Sequence, residues 1–177
     1  MENQQMPTKK IALNYGLILG FVSILFHVIL FALGKHLDQD WKMSVLSIAI
    51  TAVVIVMGIK KFKESNNGLL SLGQGLKTGI AIAMISAVVY IIYTMVFMYV
   101  ISPESLEHGL EIARQKLLEN PNMTDETIEA ALAMQKKFSS PTFLIPIMLI
   151  VSLFIGFVIS MIASLIMKKT DEEVTSI

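Results

Sequence analysis

Three side chains in the apolar part of the sequence could take part in chemistry, namely His27, Tyr90 and Tyr93. An imidazole titrates near neutral pH and is the commonest metal ligand, so His27 could carry a proton or a metal ion. Both roles need a partner that orients the ring. His36 and His108 are too scattered in sequence to propose as co-ligands. We therefore expect His27 to be a neutral side chain that is hydrogen-bonded between helices.

The two tyrosines belong to an aromatic stripe at helical spacing, which Phe97 and the nearby Tyr99 continue. Core packing combined with a belt at the membrane interface accounts for such a stripe. The alternative is that Tyr90 and Tyr93 line a pocket for an apolar ligand. Neither interpretation assigns these rings a catalytic role.

A glycine-rich segment at residues 68–79 invites comparison with a phosphate-binding loop. Gly68 and Gly73 have the Walker spacing, but Gln74 stands where the lysine is required, and no strand precedes the segment. We therefore expect no nucleotide there. The lysines just before the segment favour a topology signal, and attraction of anionic lipid is the alternative.

The composition excludes several classes of protein. Of the 177 residues, 54% are apolar and 16% are charged, whereas roughly 25% are charged in a typical soluble domain. The 14 Lys and Arg equal the 14 Asp and Glu, so no basic surface is expected to bind nucleic acid. Cysteine is absent, which excludes thiol nucleophiles and cysteine-ligated metals. With no catalytic constellation and no metal-ligand spacing, we expect no enzymatic activity, cofactor or metal.

Four long uncharged segments predict the architecture. Because about 20 apolar residues cross a bilayer as a helix, we expect an all-α integral membrane bundle in one domain over residues 1–177. The first segment is too long for a signal-peptide core of about 7–15 residues. The predicted membrane helices cover residues 11–33, 41–59, 78–101 and 142–167.

Small residues recur every four positions on three of these helices. Such stripes let helix backbones approach closely and gain van der Waals contact, so they predict a compact bundle. The residues expected at the contacts are Gly16, Gly20, Gly79, Ala83, Ser152, Gly156 and Ser160.

Residues 102–141 form the one long stretch outside the predicted membrane helices. Ser102 and Pro103 predict a helix start, Asn120-Pro121-Asn122 a stop, and Thr124 a second start. We expect an extramembrane helical hairpin between the third and fourth membrane helices. It would pack on itself or on the membrane helices, or serve as a docking surface for a partner.

Lysine distribution sets the expected orientation. With the N-terminus inside, the cytoplasmic side has eight basic residues and the outside has six. The short connection after the second helix is rich in lysine, whereas residues 102–141 carry more acids than bases. The positive-inside rule therefore favours cytoplasmic N- and C-termini.

Three segments together resemble a known family. They are GLLSLGQGLKTG at residues 68–79, ISPESLE at residues 101–107, and KFSSP at residues 137–141. In this order they resemble a bacterial family of membrane proteins known as domain of unknown function 4199. The resemblance extends from Lys10 to Lys169 and includes the closing Lys168-Lys169 pair.

The resemblance implies a four-helix integral membrane protein, mainly of the Bacteroidota, with no assigned activity and no catalytic residues. Members of the family favour aromatic residues at the places of Leu72 and Leu76 and alanine at that of Gly75, where this chain departs from them. A bacterial inner-membrane location follows from it as an expectation.

The preferred interpretation is a structural or interaction component of the membrane. Its partners would be the lipid bilayer and another membrane or envelope protein, bound through residues 102–141. The alternative is a subunit of an oligomeric transporter or channel, in which several copies line a path between their small-residue faces. A homo-oligomer is compatible with either interpretation.

Overall fold

A computed structural model describes residues 5–37 and 40–169, with side chains from Thr8 onward. Within these residues the chain is helical and has no β-strand, which confirms the predicted all-α class. The helices are α1 (Gln5–Ala32), α2 (Trp41–Ser65), α3 (Leu72–Val96), α4 (Ser105–Leu118), α5 (Asp125–Phe138) and α6 (Pro141–Met167), and a π-helical turn at Phe97–Ile101 follows α3.

Four of the helical segments are long and apolar enough to cross a membrane, which confirms the predicted number of spans. They are Thr8–Ala32, Trp41–Ser65, Leu72–Ile101 and Pro141–Met167. Pro146 lies inside α6. Because proline has no N–H, the carbonyl of Thr142 lacks its usual donor within the helix.

The second and third helices are longer than the uncharged segments that predicted them. Helix α2 continues to Ser65 instead of ending at residue 59, and α3 begins at Leu72 instead of residue 78. A capping box explains the early start of α3: the N–H of Ser71 donates to Gln74 Oε1 at 2.9 Å, and the N–H of Gln74 donates to Ser71 Oγ at 3.3 Å. Charged residues limit the part of a helix that can lie in a membrane, but they do not mark where the helix ends.

The chain divides into two compact units, one of Met1–Tyr90 with Leu149–Ile177 and the other of Ile91–Met148. The first unit contains the main hydrophobic core. Its fully buried side chains include Ile55 and Ile59 of α2 and Ile82 of α3. A single domain over residues 1–177 stays a prediction.

In the second unit, α4 and α5 contact each other. Helix α4 begins at Ser105, two residues later than the Pro103 start that the sequence predicts. Helix α5 begins after Thr124, as predicted, and a capping box between Thr124 and Thr127 closes its first turn. Ile128 of α5 is buried.

Candidate functional site

A tight turn after α1 brings His36 back over the last turns of that helix. Gly34 adopts a left-handed conformation with φ of 68°, which glycine reaches without strain. The N–H of Gly34 donates to Phe31 O at 2.9 Å, and that of Lys35 donates to Leu30 O at 2.8 Å. These two bonds form a Schellman motif, so the chain reverses at the end of α1.

The reversal places His36 among aromatic rings, in an aromatic cluster that consists of His27, Phe31, His36 and Tyr90. The ring of His36 lies 4.9 Å from that of Phe31 and 6.2 Å from that of His27, between centroids. The ring of His27 lies 6.4 Å from that of Tyr90 on α3. All three pairs meet edge to face, an arrangement that stabilises packed rings.

Sequence reasoning missed that His27 and His36 are neighbours, because they are nine residues apart and belong to no recognised spacing. Gly34 was the available signal, since a glycine just after a helix commonly reverses the chain. In the part of the chain that the structure describes, no three His, Asp or Glu side chains are grouped to hold a metal ion.

Tyr93 lies next to a different ring from Tyr90, although both belong to α3. Its ring centroid is 5.9 Å from that of Phe97, in a tilted arrangement within the second unit. Phe97 begins the π-helical turn and is buried. A pocket lined by Tyr90 and Tyr93 together stays a prediction.

Helix α1 lies directly against α3 at two glycines. A Cβ atom at Gly16 would lie 2.6 Å from the Cβ of Ile85, and one at Gly20 would lie 2.8 Å from the Cβ of Val89. Real side chains do not approach this closely. Glycine is therefore required at both positions while α1 and α3 keep this separation.

Small residues also line the contact between α3 and α6. A Cβ atom at Gly79 would overlap the side chain of Ser160, and one at Gly156 would overlap that of Ala83. Ser152 Oγ donates to the carbonyl oxygen of Ala83 at 3.4 Å. Ser160 Oγ donates to Gly156 O, within its own helix, at 2.5 Å.

Gly75 belongs to the same contact, and sequence reasoning did not select it. A Cβ atom there would overlap the side chain of Ser164, which is fully buried. The signal was its position four residues before Gly79, which extends the small-residue stripe of α3 by one helical turn.

The ends of α2, α3 and α6 meet at a hydrogen-bonded junction, which we call the basic end. Lys63 Nζ donates to Met167 O at 2.7 Å and so satisfies a carbonyl at the end of α6. The N–H of Leu70 donates to Lys169 O at 2.8 Å, and the N–H of Lys169 donates to Leu70 O at 2.9 Å. This isolated antiparallel bridge joins the connection before α3 to the chain after α6.

The glycine-rich segment is therefore a helix start and a helix contact. Gly68 turns the chain with φ of 79°, Leu70 forms the bridge, and Ser71 caps α3. Gly75 and Gly79 leave room for α6. These roles account for most of the segment without a ligand, and Gly73 has open space around it.

A polar turn precedes α4. The hydroxyls of Ser102 and Ser105 are 2.6 Å apart, and Ser102 Oγ donates to Glu104 Oε1 at 2.8 Å. A hydrogen bond from its own backbone N–H, and then the one from Ser102, hold the pKa of the Glu104 carboxyl below its ordinary value. The carboxylate therefore stays charged at neutral pH.

Helix α5 exposes an apolar strip consisting of Ala130, Met134 and Phe138, which are spaced four residues apart and so share one face. Met134 is 60% exposed and Phe138 is 47% exposed. The Phe138 ring lies 5.8 Å from that of Phe143, and the Lys137 ammonium lies 5.5 Å from the Phe143 ring. Exposed Glu126 and Lys137 lie along one edge of the strip.

Comparison with known proteins gives one positive result. The family described as "Protein of unknown function (DUF4199)" matches residues 14–169, which is most of the chain. No curated protein and no solved structure was found to match the chain. The expected family is confirmed, and the chain belongs to the DUF4199 family of proteins of unknown function.

Proposed function

We propose that this chain is a non-enzymatic structural or accessory protein of the bacterial inner membrane, with both termini in the cytoplasm. In this proposal α4 and α5 form a hairpin outside the bilayer. The hairpin binds another membrane or envelope protein through residues 102–141.

The surface of the long helices supports a membrane location. On α6, Phe154 is 66% exposed and Ile166 is 78% exposed, and large apolar side chains are also exposed on α1, α2 and α3. Contiguous apolar surface on this scale is unfavourable in water. Lipid tails cover it at no such cost, because they are as apolar as the side chains.

The exposed lysines support the proposed orientation. Lys9 and Lys10 near the start of α1 are exposed, as are Lys60 and Lys61 near the end of α2. The N-terminal part of α1 and the C-terminal part of α2 contribute to the same core, where Ile11 and Phe62 are both buried. A concentration of lysine on one side is the usual mark of the cytoplasmic side.

The single observation that carries the docking role is the apolar strip Ala130, Met134 and Phe138 on α5. A helix with charged residues around an exposed methionine and phenylalanine resembles the surfaces that proteins use to bind partners, because methionine adapts its shape to the surface it meets. The strip is exposed, whereas Ile128 of the same helix is buried.

In-cell photocrosslinking tests the docking role. A photoreactive residue at Met134 or Phe138 is expected to capture one defined protein, whereas one at Glu129 or Lys136 on the same helix is expected not to. The control positions are exposed as well, so they report proximity that does not depend on the apolar strip. Equal capture at all four positions, or capture of lipid alone, would contradict the docking role.

Reporter fusions test the orientation. A reporter that is active only in the cytoplasm is expected to work at Ser65 and to be silent at Gly109. The reverse result would place the α4–α5 segment in the cytoplasm and would move the search for a partner to that side.

The channel or transporter alternative has less support. Its small-residue faces would have to line a path between copies, but Gly16, Gly79 and Gly156 are already in contact within one chain. Solute or ion flux through purified protein in liposomes would favour the alternative. Gly156→Leu is a poor probe of flux because the new side chain would overlap Ala83 and disturb folding.

A further inference from the structure

An apolar groove of about 250 Å³ runs between α2 and α6. We call it the α2–α6 groove. Ala52 and Val56 line it on α2, and Ile162, Ile166 and Met167 line it on α6. The groove is open to the outside, since Val56, Ile162 and Ile166 are exposed. Both helices are long enough to cross a membrane.

The end of the groove nearest Met167 lies beside positive charge. Lys60 is exposed and follows Val56 by one helical turn, so it lies on the same face of α2. Lys63 reaches Met167, which lines the groove, and its Nζ donates to the Met167 carbonyl. The ammonium group of Lys63 therefore lies at this end of the groove, and Lys60 lies one helical turn from the lining residue Val56.

The acid nearest in sequence, Glu64, does not cancel this charge. Its carboxylate lies 3.5 Å from Lys61 Nζ in an exposed ion pair. Counting Lys60, Lys61, Lys63 and Glu64, the last turns of α2 keep a net charge of +2. The surface thus combines an apolar groove that fits an acyl chain with a cationic end that attracts an anion.

We propose that the α2–α6 groove binds one anionic phospholipid, with an acyl chain against Val56, Ile162 and Ile166 and the phosphate beside Lys60 and Lys63. Basic sites between membrane helices on the cytoplasmic side commonly bind acidic headgroups. The long aliphatic stem of Lys60 lets its ammonium reach the headgroup region while the stem covers apolar surface. The inference rests on the membrane location proposed above.

Native mass spectrometry of the purified full chain tests the proposal. The protein is incubated with phosphatidylglycerol, or with phosphatidylcholine that has the same acyl chains. It is then released from detergent for the measurement. We expect one retained phosphatidylglycerol and little phosphatidylcholine. Lys60→Gln is expected to weaken phosphatidylglycerol binding about fivefold, which corresponds to the roughly 1 kcal/mol that one lysine contributes near anionic lipid.

Lys61→Gln is the matched control. It removes the same charge one residue away, from a side chain that is paired with Glu64, and it is expected to leave binding nearly unchanged. Val56→Trp is expected to fill the groove and reduce retention of the lipid without changing net charge. Circular dichroism checks that each variant keeps its helices.

Four outcomes would overturn the lipid site. Equal loss of phosphatidylglycerol binding in Lys60→Gln and Lys61→Gln would mean that the overall positive charge of this region attracts the lipid, without a specific site. Equal retention of phosphatidylcholine would mean that the groove ignores the headgroup, and displacement of the lipid by millimolar inorganic phosphate would mean a simple anion site. A dimer that Val56→Trp disrupts would instead assign the groove to a second copy of this chain.

Failure of the membrane location is measured separately, by carbonate extraction of cell membranes. A chain that leaves the membrane fraction contradicts the location itself. A chain that stays in that fraction but does not discriminate between lipids contradicts the lipid site alone.

Discussion

The first unit holds its helices together differently at two places, the basic end and the aromatic cluster. At the basic end, Lys63 and Leu70 donate hydrogen bonds to the chain at the end of α6. At the aromatic cluster, His27 of α1 meets Tyr90 of α3 edge to face, with ring centroids 6.4 Å apart. Hydrogen bonds fix direction and distance, whereas ring contacts accept a range of side chains of similar shape.

These two places show which parts of a membrane bundle a sequence can reveal. The basic end has a signature, because capping boxes, chain-reversing glycines and small-residue stripes have fixed spacing. The aromatic cluster has only Gly34 as a signal, because His27 and Tyr90 come from distant parts of the chain. The comparison predicts that substitutions near the basic end cost more than conservative ones in the aromatic cluster.

The largest effect is expected from Gly79→Ala. The new methyl group would overlap Ser160, and such overpacking typically costs about 1–3 kcal/mol. Thermal unfolding in detergent micelles measures the loss of stability. Gly73→Ala in the same helix is the matched control, because Gly73 has open space around it; it should be neutral or gain up to about 1 kcal/mol. If Ser160→Gly fails to rescue Gly79→Ala, the proposed overlap is not the cause.

A smaller loss is expected from Gly34→Ala, which forces a side chain into the left-handed conformation before His36. The strain is about 1–2 kcal/mol. Gly34→Asn should be milder, since asparagine tolerates this conformation better than alanine. An NMR spectrum that shows His36 unchanged next to His27 in the alanine variant would contradict the role of this turn.

Removing the cap of α3 should cost about 1 kcal/mol. Ser71→Ala takes away the hydroxyl that accepts the N–H of Gln74, and unfolding free energy measured in the same micelles should fall accordingly. Ser71→Thr keeps a hydroxyl and should restore most of the loss. Hydrogen exchange at Gln74 localises the effect, and unchanged protection there in Ser71→Ala would count against the capping box.

The smallest effect is expected from His36→Phe, below about 0.5 kcal/mol. A phenyl ring can keep the edge-to-face contacts with Phe31 and His27. His36→Ala removes the ring and should cost more than His36→Phe. A large loss of stability in the phenylalanine variant would show that the imidazole nitrogens contribute to stability. It would contradict the difference described between the basic end and the aromatic cluster.

Particular residues explain how much of the fold the sequence could predict. The four long helices were predictable because charge is absent from Ile11 to Leu33 and from the three later segments. Helix ends were less predictable: Lys60 and Lys61 interrupt the uncharged segment, but lysine is a good helix former, so α2 continues to Ser65. At Pro103 the local signal favoured a helix start, yet the hydrogen bonds of Ser102 make a turn there.

The candidate sites were predictable to different degrees. Residues that share a helix face, such as Met134 and Phe138, can be grouped from their spacing alone. The α2–α6 groove cannot be found this way, because Val56 and Ile166 are more than 100 residues apart and neither carries a distinctive side chain. Only a structure shows that Lys60 lies beside it.

The short connection between α2 and α3 sets a limit for protein engineering. Asn66 to Ser71 must leave α2, turn through two consecutive left-handed residues at Asn67 and Gly68, and still align Leu70 with Lys169. An inserted residue would shift this register, so epitope tags should disrupt assembly there. The exposed residues between α4 and α5, from Asn120 to Thr124, offer a better insertion point, because an exposed loop tip tolerates added length.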